Sequence, residues 1–246
     1  MTERRNHLPC LLLCVAALIP ALARAQIDSR ESTVDVHVGI QLPKLQPHEH
    51  APPAVLWLKP LPETPSHAFL PNGRYTLLQK NRMFTPHLLI VPIGSEVHFP
   101  NADPFFHNVF SLFNGKRFDL GLYEARSDKE VLFSREGVSY IFCNIHPEMS
   151  AVVVVLSSQY FAVPNKQGEF SIASVPPGRY MLHVWNENAL PATLQALSRE
   201  VMVSETSHSL GLIHVRVTLA TSAPHKNKYG QDYQPPSPNN PIYVQP

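Results

Sequence analysis

At 246 residues the chain is long enough for one large or two ordinary domains. It is 44% hydrophobic and 16% charged, apolar enough to bury a core, and its formal net charge of +1 removes any electrostatic case for binding nucleic acid or an anionic membrane surface. Its 25 prolines, about twice the usual share of roughly 5%, argue against a helix bundle, because proline removes a helical N–H and clashes with the preceding turn.

The first 25 residues read as an export signal. Arg4 and Arg5 give a positive start, residues 8 to 22 are apolar, and Ala23-Arg24-Ala25 supplies the small residues expected before cleavage ahead of Gln26. Pro9 and Pro20 leave too short an uninterrupted stretch for the roughly 20 residues of a membrane span, so no integral membrane segment is expected after the signal is removed. Cleavage after Ala25 implies a periplasmic or otherwise exported protein. It also removes Cys10 and Cys14, which leaves Cys143 as the lone cysteine of the mature chain. A free thiol in an oxidising compartment is a liability unless it is buried or bound to a metal.

Residues 26–73 hold two strand candidates, Thr33–Ile40 and Val55–Leu58, among loops rich in proline and histidine. Between 74 and 157 short candidates follow one another: Tyr75–Gln79, His87–Val91, Glu96–Phe99, His107–Phe110, Glu130–Phe133, Val138–Cys143 and Ala151–Leu156. Turn residues such as Pro92-Ile93-Gly94 and Asn101-Ala102-Asp103-Pro104 separate them, a rhythm that predicts an antiparallel β-sandwich. Residues 151–156 are continuously apolar, as in a strand buried on both faces. A second group, Glu169–Ala173, Arg179–Trp185, Leu194–Val203 and Ser209–Leu219, predicts a further sandwich over 158–220. Residues 221–246 lose periodicity and read as an extended tail, ordered only where it packs on the body.

The chemistry concentrates between two of these strands. Cys143-Asn144-Ile145-His146-Pro147-Glu148-Met149 spaces a thiol, an imidazole and a thioether three residues apart, and His107 opens a strand upstream. Two imidazoles, a thiolate and a long thioether are the donor set of a blue-copper electron-transfer site. Zinc would suit Cys143 and His146, but zinc sites favour cysteine, histidine and carboxylate over methionine.

The segment Phe84 to Gly94, then Val97 to Asp103, His107-Asn108-Val109-Phe110 and Cys143 to Met149, resembles the cupredoxins. The Cys-x2-His-x2-Met spacing is similar to the short ligand loop of amicyanin rather than the longer loop of plastocyanin. Cys143–His146 and His107–Ser111 resemble the exported cupredoxin-like proteins named methylamine utilization protein. The resemblance spans about residues 74 to 157 and implies one type 1 copper per chain, with His107, Cys143, His146 and Met149 as ligands. It also implies that Asn108 ties the His107 strand to the cysteine loop, with its N–H reaching the Cys143 sulfur. The chain departs from the family at Ile141 and Ser139, where plastocyanins carry aromatics, and at Ile145, where amicyanin has proline. Ile145 brings an N–H able to donate a second hydrogen bond to the sulfur.

Further on, Gly168 to Ile172, Val175 to Tyr180 and Val184-Trp185 resemble the small transthyretin-like, or carboxypeptidase regulatory-like, β-sandwich. Tyr180 and Trp185 read there as core rather than as a sugar platform. The fold class expected is therefore all-β: a cupredoxin Greek-key sandwich plus this smaller one. His48 and His50 could hold a second metal, but a solvated loop is the plainer reading. No nucleophile triad, P-loop or dinucleotide fingerprint is present. The function implied is one-electron transfer rather than catalysis, with a c-type cytochrome or a periplasmic dehydrogenase as partner. The competing readings are a copper chaperone or sensor, and a non-redox structural or surface-binding module.

Overall fold

A computed structural model describes residues 32–41, 52–112, 115–215 and 225–233. The export segment with Cys10 and Cys14, the loop holding His48 and His50, and residues 216–224 and 234–246 lie outside the described residues.

The described strands begin with β1 (Val34–Gln41), β2 (Ala54–Pro60), β3 (Tyr75–Thr76), β4 (Leu78–Lys80), β5 (Met83–Thr85) and β6 (Leu88–Pro92). Next come β7 (Ser95–His98), β8 (His107–Ser111), β9 (Phe118–Tyr123), β10 (Glu130–Phe133), β11 (Gly137–Cys143) and β12 (Ser150–Leu156). The chain continues through β13 (Phe161–Ala162), β14 (Glu169–Val175) and β15 (Gly178–Asn186), then the single described helix α1 (Pro191–Leu197), β16 (Arg199–Val203) and β17 (Ser209–His214).

The protein is all-β apart from that helix, and its sheets stack as two sandwiches. In the first, the five-stranded sheet β6-β12-β11-β8-β9 faces the three-stranded sheet β10-β7-β3. Between them lies a core that includes Leu77, Phe99, Val109, Phe133, Ile141 and Val153. In the second, β13-β2-β15-β16 faces β14-β1-β17, across a core that includes Val36, Leu56, Phe170, Tyr180 and Leu182. The strands before residue 73 therefore complete the second sandwich: β1 pairs with β14 and β17, and β2 pairs with β15.

The apolar run of β12 follows from its place in the stack. Ala151, Val153 and Val155 turn into the first core. Val152, Val154 and Leu156 turn the other way, onto Val55 of β2 and Trp185 of β15. Because side chains alternate along a strand, only a strand covered on both faces can be apolar at every position. Tyr180 and Trp185 are both buried.

Several elements differ from the sequence reading: Tyr75–Gln79 divides into β3 and β4, and the short strands β5 and β13 have no counterpart in it. Leu194–Val203 is not one strand: residues through Leu197 are helical, and β16 starts at Arg199. Pro191 sits in the first helical turn, where its fixed φ suits a helix and its missing N–H costs nothing. Ala192, Leu194, Gln195 and Leu197 are all strong helix formers, and this local preference overrides the apolar alternation. β9 was not read at all, because Gly121 at φ +67 interrupts its pattern and a bulge shifts its register against β8.

One contact joins the sandwiches through a titrating group. His87, just before β6, bonds the Ser150 carbonyl through Nδ1 (3.1 Å) and the Glu187 carboxylate through Nε2 (2.8 Å). The Glu187 hydrogen bond outweighs the opposing effect of burial, so the His87 pKa is raised above its ordinary value. A raised pKa contributes stability that is complete below the unfolded value near 6.5 and is lost as pH rises through the folded value. Denaturant melts at pH 5.5 and 8.5 should show this loss in the natural protein and not in His87→Gln. The effect should stay below about 1 kcal/mol, because the pair is well exposed to water. An equal pH response in both proteins would remove His87 from this role.

Candidate metal centre

Cys143 ends β11 and Ser150 opens β12, so residues 144–149 close a hairpin at one end of the five-stranded sheet. β8 lies antiparallel beside β11 with Val109 opposite Cys143. His107, at the start of β8, is thereby carried to the same end as the cysteine. Backbone bonds fix the loop: Cys143 N–H to the Met149 carbonyl (3.1 Å), Met149 N–H to the His146 carbonyl (3.1 Å) and Asn144 N–H to the Asn108 carbonyl (2.8 Å).

This arrangement brings His107, Cys143 and His146 together. The Cys143 sulfur lies 3.6 Å from His107 Nδ1 and 3.5 Å from His146 Nδ1. Ligands held by one metal at roughly 2.0–2.3 Å stand roughly 3.5–3.8 Å apart, so these separations fit a shared ion. Cys143 and His107 are fully buried, while His146 keeps 5% exposure and is the edge nearest solvent. Met149, the remaining expected ligand, is fully buried in the same core as Cys143 and Val109.

Burial sets the protonation of the group. It pushes the Cys143 thiol up, against the backbone N–H groups of Asn108, Ile145 and His146 that bond the sulfur and favour the thiolate. Burial, helped by the neighbouring His107 and Arg82, drives His146 down to about 4. His107 is lowered as well, chiefly by burial. Both imidazoles are therefore neutral at pH 7, with lone pairs available to a metal, and binding would release the thiol proton.

The orientation of His107 comes from Asp103, whose Oδ2 lies 3.0 Å from His107 Nε2. A carboxylate there takes the Nε2–H, which leaves the Nδ1 lone pair facing the sulfur. Asp103 is fixed in turn by the N–H groups of Asn81 (2.6 Å) and Arg82 (3.0 Å). These two residues form the β4–β5 turn, both with positive φ, at +55 and +57. That two-residue geometry suits hairpins and points successive N–H groups to one side. Burial alone would raise the Asp103 carboxyl, but the Arg82, His107 and Asn81 donors hold it below its ordinary value.

Phe105 walls the outer side, its ring 5.4 Å from that of His107 and 5.5 Å from that of His146. The Arg82 guanidinium lies over the Phe105 face at 5.3 Å. Phe106, by contrast, is 44% exposed, and Pro147 is exposed beside His146.

Asn108 joins the strands as the resemblance implies: its N–H reaches the Cys143 sulfur and its carbonyl holds the Asn144 N–H, while its side chain bonds Asp119 (2.7 Å). Sequence reasoning did not single out Asp103 as a partner of His107, nor the Asn81-Arg82 turn that holds it. The spacing of Asp103 four residues before His107 was the only trace. A second donor group among the described residues, Glu96, His98 and Glu130, lies at the surface. There Arg74 bonds the neighbouring Asp128 at 2.6 Å and reaches His98 Nδ1 at 3.3 Å.

No family model and no curated protein matches the chain. Similar solved structures include a purple cupredoxin, amicyanins and a copper-containing nitrite reductase. A purple cupredoxin from Nitrosopumilus maritimus is 26% identical over 35% of this chain and 100% of its own, with a TM-score of 0.31. Amicyanin from Paracoccus versutus is 20% identical over 35% of this chain and 85% of its own, with a TM-score of 0.32. A copper-containing nitrite reductase from Thermus scotoductus is 22% identical over 35% of this chain, with a TM-score of 0.33, and this chain spans only 23% of its length. No helix among the described residues is long and apolar enough to cross a membrane.

Proposed function

We propose that the chain is an exported type 1 copper protein, acting in the periplasm, that carries single electrons between redox partners. One copper would be held by His107, Cys143 and His146, with Met149 as a weak fourth ligand. The observation that carries this reading is the convergence of two imidazole Nδ1 atoms on a buried thiol, 3.5 and 3.6 Å away. Copper bound there would supply a one-electron couple between Cu(II) and Cu(I). The protein's part is to hold the donors in place: β8 and β11 set two of them, the bonded loop sets His146, and Asp103 sets the ring of His107. A scaffold fixed by hydrogen bonds and buried apolar packing changes little between oxidation states. Four protein donors leave no open position for a substrate, which supports a carrier rather than an enzyme. Pro147 next to His146, and Phe106 next to His107, are exposed apolar side chains that would suit a brief encounter with a c-type cytochrome or periplasmic dehydrogenase.

The test is a visible spectrum of the mature protein loaded with Cu(II), before and after ascorbate. An intense blue or green thiolate band that ascorbate bleaches and re-oxidation restores is expected. Copper uptake without such a band, or a band that does not cycle, would overturn the reading.

Met149 should tune the centre without making it. Met149→Leu is expected to keep copper and colour while raising the reduction potential, because losing a weak donor and gaining an apolar wall both favour Cu(I). Voltammetry of the variant decides this, and loss of all copper with the fold intact would exclude a merely tuning role for Met149.

A further inference from the structure

Residues 225–233 are separated from the ligand loop by about eighty positions of sequence, yet they pack on it. The Tyr233 hydroxyl donates to the carbonyl of Cys143 at 2.7 Å. The Lys228 N–H donates to Asn144 Oδ1 at 2.9 Å. Lys228 Nζ reaches Asp119 Oδ2 at 2.8 Å, and Asp119 Oδ1 accepts from Asn108 Nδ2 at 2.7 Å. The His225 ring stacks on Phe142, with centroids 3.9 Å apart and planes 25° apart, and the Tyr233 ring stands edge-on to His225 at 5.2 Å. The segment is also closed on itself: Asn227 Oδ1 accepts from the N–H groups of Tyr229 (2.9 Å) and Gln231 (3.0 Å).

These contacts fall on the residues that flank the candidate ligands. Phe142 and Asn144 are the two neighbours of Cys143, and Asn108 follows His107. We propose that residues 225–233 are a strap that holds the ligand loop in its metal-binding conformation, with Tyr233 and Lys228 as positioning residues of the centre. The identity of the metal rests on the copper reading above; the strap itself does not.

The physical reason is the direction in which the loop must open. For Cys143 to draw away from His107 with its loop, Cys143 and Asn144 have to leave β8, which breaks the Asn144 N–H bond to the Asn108 carbonyl. The strap resists this from the outside. It anchors the Cys143 carbonyl, and through Asp119 it ties the loop side to the strand that carries His107. A bond between a distant segment and a loop of this kind adds to the opening free energy of the loop more than to the stability of the core.

The test uses the full mature chain with Tyr233→Phe and, separately, Lys228→Met. In metal-free protein, amide hydrogen exchange is followed at Asn144 and Met149 in the loop and at Val153 in β12. Loss of one net hydrogen bond predicts exchange about fivefold faster at the loop amides in each variant. Val153 should be unchanged. In copper-loaded protein, release to a strong chelator should quicken by a similar factor, with a shift in the visible band. Loop exchange equal to that of the natural protein in both variants would overturn the strap, as would equal acceleration at Val153, which would mean only general loosening. If the natural protein takes up no copper while the loop amides respond as expected, the strap stands and the copper reading falls.

Discussion

Cys143→Ser is expected to abolish the visible band of the copper-loaded protein and to lower copper affinity by orders of magnitude. The thiolate is the one soft anionic donor among the candidate ligands, and it gives the intense colour as well as the preference for Cu(I). A serine hydroxyl is harder and far less acidic, so it stays protonated and offers only a weak neutral oxygen. The two imidazoles would remain and could hold Cu(II) as a pale, loosely bound ion. The fold should survive, because Cys143 N–H bonds the Met149 carbonyl through the backbone and the hydroxyl can still accept from the N–H groups that face the sulfur. Copper titration followed in the visible, beside a thermal melt of the metal-free protein, separates the two effects. An unchanged band would place the copper, if bound, elsewhere in the chain.

How much of this was legible in the sequence depends on whether a feature is local. The strand pair around Cys143–Met149 could be read because turn residues and apolar alternation are written within a few positions. The unbroken apolar run of 151–156 announced a strand covered on both faces, though not that its second cover is Val55 and Trp185 from the other sandwich. The placement of β1 and β2 could not be read, since it depends on pairings with β14, β15 and β17 more than a hundred positions downstream. The same holds at the centre. His107, Cys143 and His146 were nominated by their chemistry and spacing, and the structure brings their donor atoms within 4.8 Å of one another. Asp103 escaped notice because a carboxylate in an Asn-Ala-Asp-Pro turn looks like turn chemistry. Its bonds to Asn81, Arg82 and His107 appear only when β4, β5 and β8 meet. The tail could be read only as lacking periodicity, which says nothing about packing that relies on single side chains such as Tyr233 and Lys228.

Asp103→Asn should damage the centre nearly as much as loss of a ligand, although the side chain changes by a single group. The carboxylate serves three donors: its Oδ1 takes the Asn81 N–H, and its Oδ2 takes the Arg82 N–H and His107 Nε2–H. An amide has one oxygen. Placed at the Oδ1 position, that oxygen leaves Arg82 and His107 facing an NH2 group; placed at Oδ2, it leaves Asn81 so. Each stranded buried donor costs about 1–3 kcal/mol, so the metal-free variant should unfold at clearly lower denaturant. Copper affinity should fall by about 10- to 100-fold as His107 loses its fixed ring orientation. The reduction potential should rise, since removing a negative charge beside a ligand favours Cu(I). The pH dependence supplies a further check. The Asp103 pKa is held below its ordinary value, so its contribution to stability is present above about pH 4 and is lost as pH falls through the lower folded value. The stability gap between the natural protein and Asp103→Asn should therefore narrow on acidification below about pH 4. Denaturant melts of the metal-free proteins at pH 7 and at pH 3, with copper titrations and voltammetry at pH 7, measure these terms. Natural stability and natural copper affinity in the variant would show that His107 is oriented by its packing against Phe105 and His146, and not by the carboxylate.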